Sequence, residues 1–328
     1  MSNQNYQKVY RQYKAETEQR FQKLVGRPDP ESVYKPIKYA LGAGGKRVRA
    51  MLVLLACEAV GGKRKQALDA AVAIEMLHNF TLVHDDVMDN AALRRNMQTV
   101  HMKWGANVAI LAGDGMIALA YSSLLKSKTT RMQDILHVFT DAFIEVCEGQ
   151  GYDKEFEYRH DVLVDDYLLM ISKKTARIIS AAAEIGALIG EGTQRQVTAL
   201  RKFGEHLGIA FQMKDDLLDI TGDVEEFGKT IGGDIMEGKK TFLLLKAIER
   251  THGKDRTFLQ SLIPRNGARR VSVSRVRTIY ERAGVLEAAE EEIEHSTHAA
   301  QGTIASLPAS RAKQMLIWLS DQLLERNH

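Results

Sequence analysis

Residues 67–89 read ALDAAVAIEMLHNFTLVHDDVMD. Leu68, Ala71, Ala73, Ile74 and Leu77 recur at helical spacing, and the run ends in three carboxylates, Asp85, Asp86 and Asp89. The stretch therefore predicts an apolar helix closed by a D-D-x-x-D cluster, with Asp85 and Asp89 one turn apart on the same face. Outward from it, no proline falls between Pro36 and Pro264, and Ala, Leu, Ile, Met, Glu and Lys fill that span. Such a composition suits stacked helices. Period-two alternation is scarce, so strands are not expected. Glycines punctuate instead, at Gly42 to Gly45, Gly61-Gly62, Gly190 to Gly192 and Gly228 to Gly238. The expected fold is all-α, with residues 1–328 forming one domain.

The chain has 328 residues, 45% hydrophobic and 27% charged, which excludes a disordered or low-complexity polypeptide. Lys+Arg 45 against Asp+Glu 42 leaves a net charge of only +3. The most basic stretch, Arg265 to Arg277, has five arginines and no aromatic residue for base stacking, so a solvated basic helix end is preferred to a nucleic-acid surface. The acidic run Glu287 to Glu294 reads the same way. Cys57 and Cys147 have no zinc or redox spacing and suit buried thiols in a reducing compartment. The first residues, MSNQNYQKVYRQYK, contain no apolar stretch, and no run approaches the roughly 20 apolar residues of a bilayer span. The expectation is a cytoplasmic protein with no stable membrane insertion and no nucleic-acid partner.

A second D-D-x-x-D occurs far downstream in FQMKDDLLDITGD, at Asp215, Asp216 and Asp219. One such cluster is a weak signal, and both could be solvated acidic helix ends. Two clusters, each closing an apolar helix, favour a shared purpose. Like charges this close destabilise a helix unless a cation neutralises them, and all-oxygen ligands suit Mg²⁺, which commonly shares carboxylates with substrate phosphates. Cationic residues follow each cluster: Arg94-Arg95 after the first, Lys229 and Lys239 after the second. Upstream, GAGGKRVR adds Lys46, Arg47 and Arg49 beside glycines. Metal, carboxylates and Lys/Arg together suit a diphosphate. Neither a Walker loop nor a G-x-G-x-x-G is present, which disfavours a nucleotide fold.

In order along the chain stand GGKRVR (Gly44 to Arg49), LHNFTLVHDDVMD (Leu77 to Asp89), RRNMQTVHMKWG (Arg94 to Gly105), GQGYD (Gly149 to Asp153), KKTA (Lys173 to Ala176), GIAFQMKDDLLD (Gly208 to Asp219) and GKTIGGDIMEGKKT (Gly228 to Thr241). In these the chain resembles the trans-isoprenyl diphosphate synthases, or polyprenyl synthases, from about Tyr34 onward. One departure is Asn96, where the family usually has glycine, and it is expected to alter a turn rather than the chemistry. The resemblance implies an all-α barrel of antiparallel helices around a central cavity, usually a homodimer. It implies that Asp85 and Asp89, supported by Asp86, ligate Mg²⁺ on one side of an allylic diphosphate, and Asp215 with Asp219 on the other. Three ions are expected with substrate bound. Arg94, Lys174, Lys229 and Lys239 would contact the allylic diphosphate, and Lys46, Arg49, His78 and Arg95 that of isopentenyl diphosphate. Thr175 and Gln212 would lie near the reacting carbons.

The implied chemistry agrees with elementary physics. Breaking an allylic C–O bond leaves a carbocation and a diphosphate with added negative charge, which Mg²⁺, Arg and Lys stabilise. The C=C of isopentenyl diphosphate attacks the cation, and loss of a proton gives a product five carbons longer. For product length, Phe80 lies about 7.5 Å deeper along the helix than Asp85. With Thr81 it resembles short-chain enzymes making C20, geranylgeranyl diphosphate. C15 is the alternative, and Phe80 as plain core is the competing reading. A class I terpene cyclase would not need the second diphosphate-binding set, and a non-catalytic partner would typically lack one Asp cluster. A di-iron site built from Glu-x-x-His, as at Glu75–His78, is disfavoured by the polar context of the other matches.

Overall fold

The computed structural model describes residues 3–27, 29–222, 232–263 and 272–324. The chain resolves into two compact units, one of residues 1–143, 181–201 and 306–318, the other of residues 144–180, 202–305 and 319–328.

The first unit is organised by α3 (Val48–Ala59) and α4 (Arg64–Met88), which follow α1 (Asn3–Leu24) and α2 (Glu31–Gly42). Every residue from Ala50 to Cys57 is buried, as expected for a helix that is apolar all round. The decisive stretch of the sequence is α4, as its periodicity predicts. Ala67, Ala70, Ala71 and Ala73 narrow α4, while Ala109, Ala112, Gly113 and Ala120 narrow α6 (Ala106–Leu124), and these two helices share the most extensive packing among the described elements. By length and composition α6 could cross a membrane, contrary to the expectation that no run approaches such a span, but 44% of its apolar window is buried within the fold. Pro36 sits inside α2. Polar contacts lash α1 onto the unit: Tyr13 Oη donates to Glu58 at 2.6 Å and Arg20 Nε to Asp69 at 2.7 Å.

Strands were not expected, yet β1 (Leu93–Arg94) and β2 (Met97–Gln98) pair antiparallel between α4 and the short α5 (Val100–Trp104). The connecting residues, Arg95 and Asn96, have φ of 51° and 62°. Left-handed φ at both central positions matches the twist of a two-residue hairpin and favours Gly or Asn there. Asn96 thus forms the turn that the family's usual glycine would, and the side-chain pattern was too short to show it.

α7 (Met132–Phe156), α9 (Arg177–Ile189), α10 (Gln194–Thr221) and α16 (Arg311–Leu324) each contribute residues to both units. The second unit also holds α8 (Val164–Ile171), α11 (Gly233–Glu237), α12 (Phe242–Arg250), α13 (Gly253–Gln260), α14 (Val273–Arg282) and α15 (Val285–Thr303). Tyr167, Met213, Leu217, Leu243, Val276, Tyr280 and Ile293 belong to its core. Between α8 and α9 the helix widens to one π turn, Ser172–Ala176. The acidic run Glu287 to Glu294 lies on α15, with Ala289 and Ile293 of the run buried. The basic stretch from Arg265 falls partly outside the described residues, and its end enters α14, where Arg277 pairs with Glu281 at 3.0 Å.

Glycines set the closest helix approaches. A Cβ at Gly186 would lie 2.3 Å from the Val53 carbonyl oxygen in the first unit. Gly186→Ala is expected to destabilise the fold by about 1–3 kcal/mol through overpacking. Urea unfolding checks this, and an unchanged midpoint would contradict the contact.

Candidate active site

Three carboxylates at the C-terminal end of α4 meet the negative end of the helix dipole as well as one another. The fold divides them. Asp86 turns inward, 4% exposed, and accepts from Arg94 Nε at 2.7 Å. Burial pushes its carboxyl above the usual range, and Arg94 opposes that. Asp85 is half-buried and Asp89 exposed, one turn apart as predicted. The hairpin brings Arg94 to Asp86, so the Asp triplet and the Arg pair form one local device.

The turn also carries Arg95 back to the glycine loop, where its guanidinium donates to the Gly44 carbonyl. Gly45 has φ of 127°, and a Cβ there would meet Arg95 Nη1 at 2.8 Å, so this glycine seats the arginine. Arg49 Nη1 donates to His78 Nε2 at 3.2 Å. Burial, followed by the charges of Arg49, Arg95, Arg94 and Arg47, holds His78 well below its ordinary pKa and therefore neutral. Lys46 is exposed on the same loop, its carbonyl accepting from the Tyr10 hydroxyl. Arg47, by contrast, is a structural residue. It is 2% exposed and donates to Glu18 and to the Leu41 carbonyl, both at 2.7 Å, with Glu75 at 3.7 Å. That pairing accounts for the Glu75 carboxylate without iron.

Phe80 is 8% exposed, its ring 4.5 Å from that of His84 and 5.4 Å, edge-on, from that of Phe143. Thr81 Oγ1 donates to the His78 carbonyl at 2.8 Å. His84, to which the sequence assigned nothing, sits over Gly113, where a Cβ would come within 2.1 Å of its ring.

In the second unit, Lys174 and Thr175 lie on the π turn, a helical distortion common at functional sites. Two glycines mould it: a Cβ at Gly149 would fall 2.3 Å from the Lys174 amide nitrogen, and one at Gly208 would fall 2.4 Å from Ala176 Cα. Lys174 pairs with Asp153 at 2.6 Å, joining the GQGYD and KKTA segments. Thr175 Oγ1 donates to Gln212 Oε1 at 2.8 Å, and Gln212 Nε2 donates to Asp216 at 2.8 Å. Asp216 also accepts from Tyr167 Oη at 2.7 Å. Burial, then the Asp234 charge, raises the Asp216 carboxyl above its ordinary range, while the Tyr167 and Gln212 hydrogen bonds pull the other way and favour the carboxylate. Asp215 is half-buried, while Asp219 is buried and accepts from the Asp234 amide at 3.1 Å. Lys239 bonds Asp234 at 3.1 Å and Glu237 at 2.8 Å. Lys229 lies outside the described residues.

The second Asp of each cluster is thus the inward anchor, and the first remains at the helix edge. Among the described residues no three His, Cys, Asp or Glu side chains form a metal cage by themselves. The donors are carboxylate oxygens flanked by Arg and Lys, a set that fits a hard divalent cation completed by water and phosphate oxygens. Sequence reading missed Tyr167, which carries no motif, and Phe143. Asp153, Asp216 and Asp234 were within quoted motifs and received no role.

This fold and these acidic helix ends define a prenyl-transferring enzyme. The polyprenyl synthetase family profile matches residues 30–282. The chain is 38% identical over 321 residues to the short chain isoprenyl diphosphate synthase of Methanothermobacter thermautotrophicus, covering 98% of each. It is 45% identical over 223 residues to the geranylgeranyl diphosphate synthase of Methanosarcina mazei, covering 67% of this chain and 69% of that one. The crystal structure of geranylgeranyl pyrophosphate synthetase from Pyrococcus horikoshii Ot3 matches with TM-score 0.92 and 34% identity, covering 98% of this chain and 99% of that one. The chain belongs to the polyprenyl synthetase family, with its all-α isoprenoid synthase fold. It is a short-chain trans-prenyltransferase, of a family that is generally magnesium-dependent and uses isopentenyl diphosphate and an allylic diphosphate.

Neutral His78 has a consequence for stability. Its folded pKa lies below the ordinary 6.5, so the unfolded chain binds the extra proton and stability falls as pH drops through that value. One such proton contributes at most about 1.4 kcal/mol per pH unit. Replacing His78 by Gln is expected to flatten the loss between pH 7 and pH 5. Urea midpoints of both proteins at each pH test it, and equal slopes would refute a neutral His78.

Proposed function

We propose that the enzyme makes a C20 product, geranylgeranyl diphosphate, from isopentenyl diphosphate and dimethylallyl, geranyl or farnesyl diphosphate. The observation that supports this length is Phe80, an aromatic ring on α4 five residues before Asp85, braced by His84 and Phe143. Such a braced ring resists displacement by a growing chain better than a single side chain would. Relatives carry names for C20 and also for longer products, geranylfarnesyl and nonaprenyl, so family membership alone does not fix the length.

In this reading Arg94, Lys174, Lys229 and Lys239 hold the allylic diphosphate, and Lys46, Arg49, neutral His78 and Arg95 hold that of isopentenyl diphosphate. Asp85, Asp89, Asp215 and Asp219, with Asp86 in support, would hold Mg²⁺, three ions in this reading, and the metal would supply Lewis-acid stabilisation of the leaving diphosphate. Asp86 and Asp216 keep Arg94 and Gln212 aimed. The Thr175 hydroxyl and the Gln212 amide face the reacting carbons and offer a positive carbon dipoles but no nucleophile. The allylic C–O bond breaks, the new C–C bond forms from the isopentenyl double bond, and the proton lost passes to the departed diphosphate. The apolar surroundings of α4 exclude the water that would quench the cation.

We extend the proposal to a homodimer, for which Ile110 and Leu111, both exposed on α6, supply apolar surface. Light scattering is expected to give the mass of two chains, and a fully active monomer would overturn that part.

Product chromatography with Mg²⁺ and each primer is expected to show a C20 stop, abolished by a chelator. Phe80→Ala should lengthen the product by one or more five-carbon units. A C15 stop would move the wall nearer the carboxylates, and an unchanged product from Phe80→Ala would remove Phe80 from it. Folded protein that elongates no primer would favour a non-catalytic partner.

A further inference from the structure

Tyr167 is 1% exposed on α8, seven residues before Lys174, and has no counterpart among the charged residues that bind diphosphate. Its hydroxyl is used all the same, donating to Asp216 Oδ2 at 2.7 Å. The other Asp216 oxygen, Oδ1, accepts from Gln212 Nε2 at 2.8 Å. The amide is thereby oriented, because its nitrogen is engaged and its oxygen is left to accept. Thr175 Oγ1 supplies that donor at 2.8 Å. The chain runs from Thr175 to Gln212 to Asp216, with Tyr167 closing it from the far side, and all four residues lie in the second unit.

Direction matters along this chain. A threonine hydroxyl has one proton and two lone pairs. When the proton is committed to Gln212, the lone pairs of Oγ1 point elsewhere, the arrangement a developing positive carbon requires. Reversing the amide would make the same oxygen accept and present its proton to the cation. We propose that Tyr167 is a positioning residue for the prenyl transfer, fixing through Asp216 and Gln212 the orientation of the Thr175 hydroxyl. This rests on the reading that Thr175 and Gln212 face the reacting carbons. Buried side-chain chains of this kind hold one arrangement when every member is satisfied, and loosen when one donor is removed.

The test is a double-mutant cycle on the full-length enzyme with Mg²⁺, isopentenyl diphosphate and farnesyl diphosphate. Tyr167→Phe removes only the hydroxyl, and kcat is expected to fall about tenfold or more, with KM for both substrates within about twofold of wild type. In a Thr175→Val background, which has no hydroxyl to orient, Tyr167→Phe should lower kcat no further. A merely structural tyrosine would lower kcat by the same factor in both backgrounds, and that result, or an unchanged kcat, overturns the proposal. A readout without substrate accompanies it: in protein labelled with ¹⁵N-glutamine, the Gln212 side-chain amide resonance should shift in Tyr167→Phe. An unmoved resonance would break the link between Tyr167 and Gln212. Should Tyr167→Phe fail to fold, Asp216→Asn, which replaces one acceptor oxygen with a donor, takes its place in the same cycle and the same labelling experiment. Wild-type protein that elongates no primer would defeat the underlying reading of the reaction, while the amide resonance would still decide whether Tyr167 orients Gln212.

Discussion

Three carboxylates crowded into the last turn of an apolar helix form the constraint on which much else depends. Repulsion among them, added to the negative end of the helix dipole, cannot be relieved by solvent alone when the helix is a core element. The fold relieves it by sending one acid inward to a neutral or cationic partner and keeping another at the edge. At the first cluster the inward acid is Asp86 and its partner Arg94; at the second it is Asp216, with Tyr167 and Gln212. In both cases the buried second Asp holds hydrogen-bonding groups around it. The hairpin after α4, and α8, which meets α10 at Asp216, supply those partners.

Much of this was legible in the sequence because it is local and periodic. The apolar helix read from residues 67–89 and its carboxylate ending stand where spacing put them, while the KKTA segment was legible only through the resemblance to the family. Less visible were contacts whose two sides are far apart in sequence or lack a motif. Tyr167 reads as one core aromatic among several until Asp216 is found against it. Arg47 and Arg49 look equivalent in GGKRVR, yet a left-handed φ of 54° at Arg47 turns its side chain into the protein toward Glu18 and Glu75. The hairpin was hidden because strands of two residues carry no alternation, and its signal was a pair of turn residues. Membrane-like composition in α6 reflects close packing against α4, where small side chains serve proximity rather than lipid.

Glycine plays two different parts at the site. Gly45 opens space for a side chain, the Arg95 guanidinium, and has a backbone conformation that other residues adopt poorly. Gly149 and Gly208 open space for main chain, so that two helices can press against the π turn from different directions. GQGYD is therefore not a flexible phosphate loop despite its composition. It lies within α7, and its aspartate reaches Lys174 from the same helix that moulds the turn.

A π turn amounts to one surplus residue accommodated within a helix, and such a residue can be lost by deleting a single codon. The shortened helix could keep its hydrogen bonding and most of its apolar face. What it would lose is phase: everything on the α8 side would rotate by about 100° relative to α9. Tyr167 and Thr175 would then no longer address the same residues of α10. The segment thus behaves as a gauge of angular register, and the surplus residue at Ser172–Ala176 sets it.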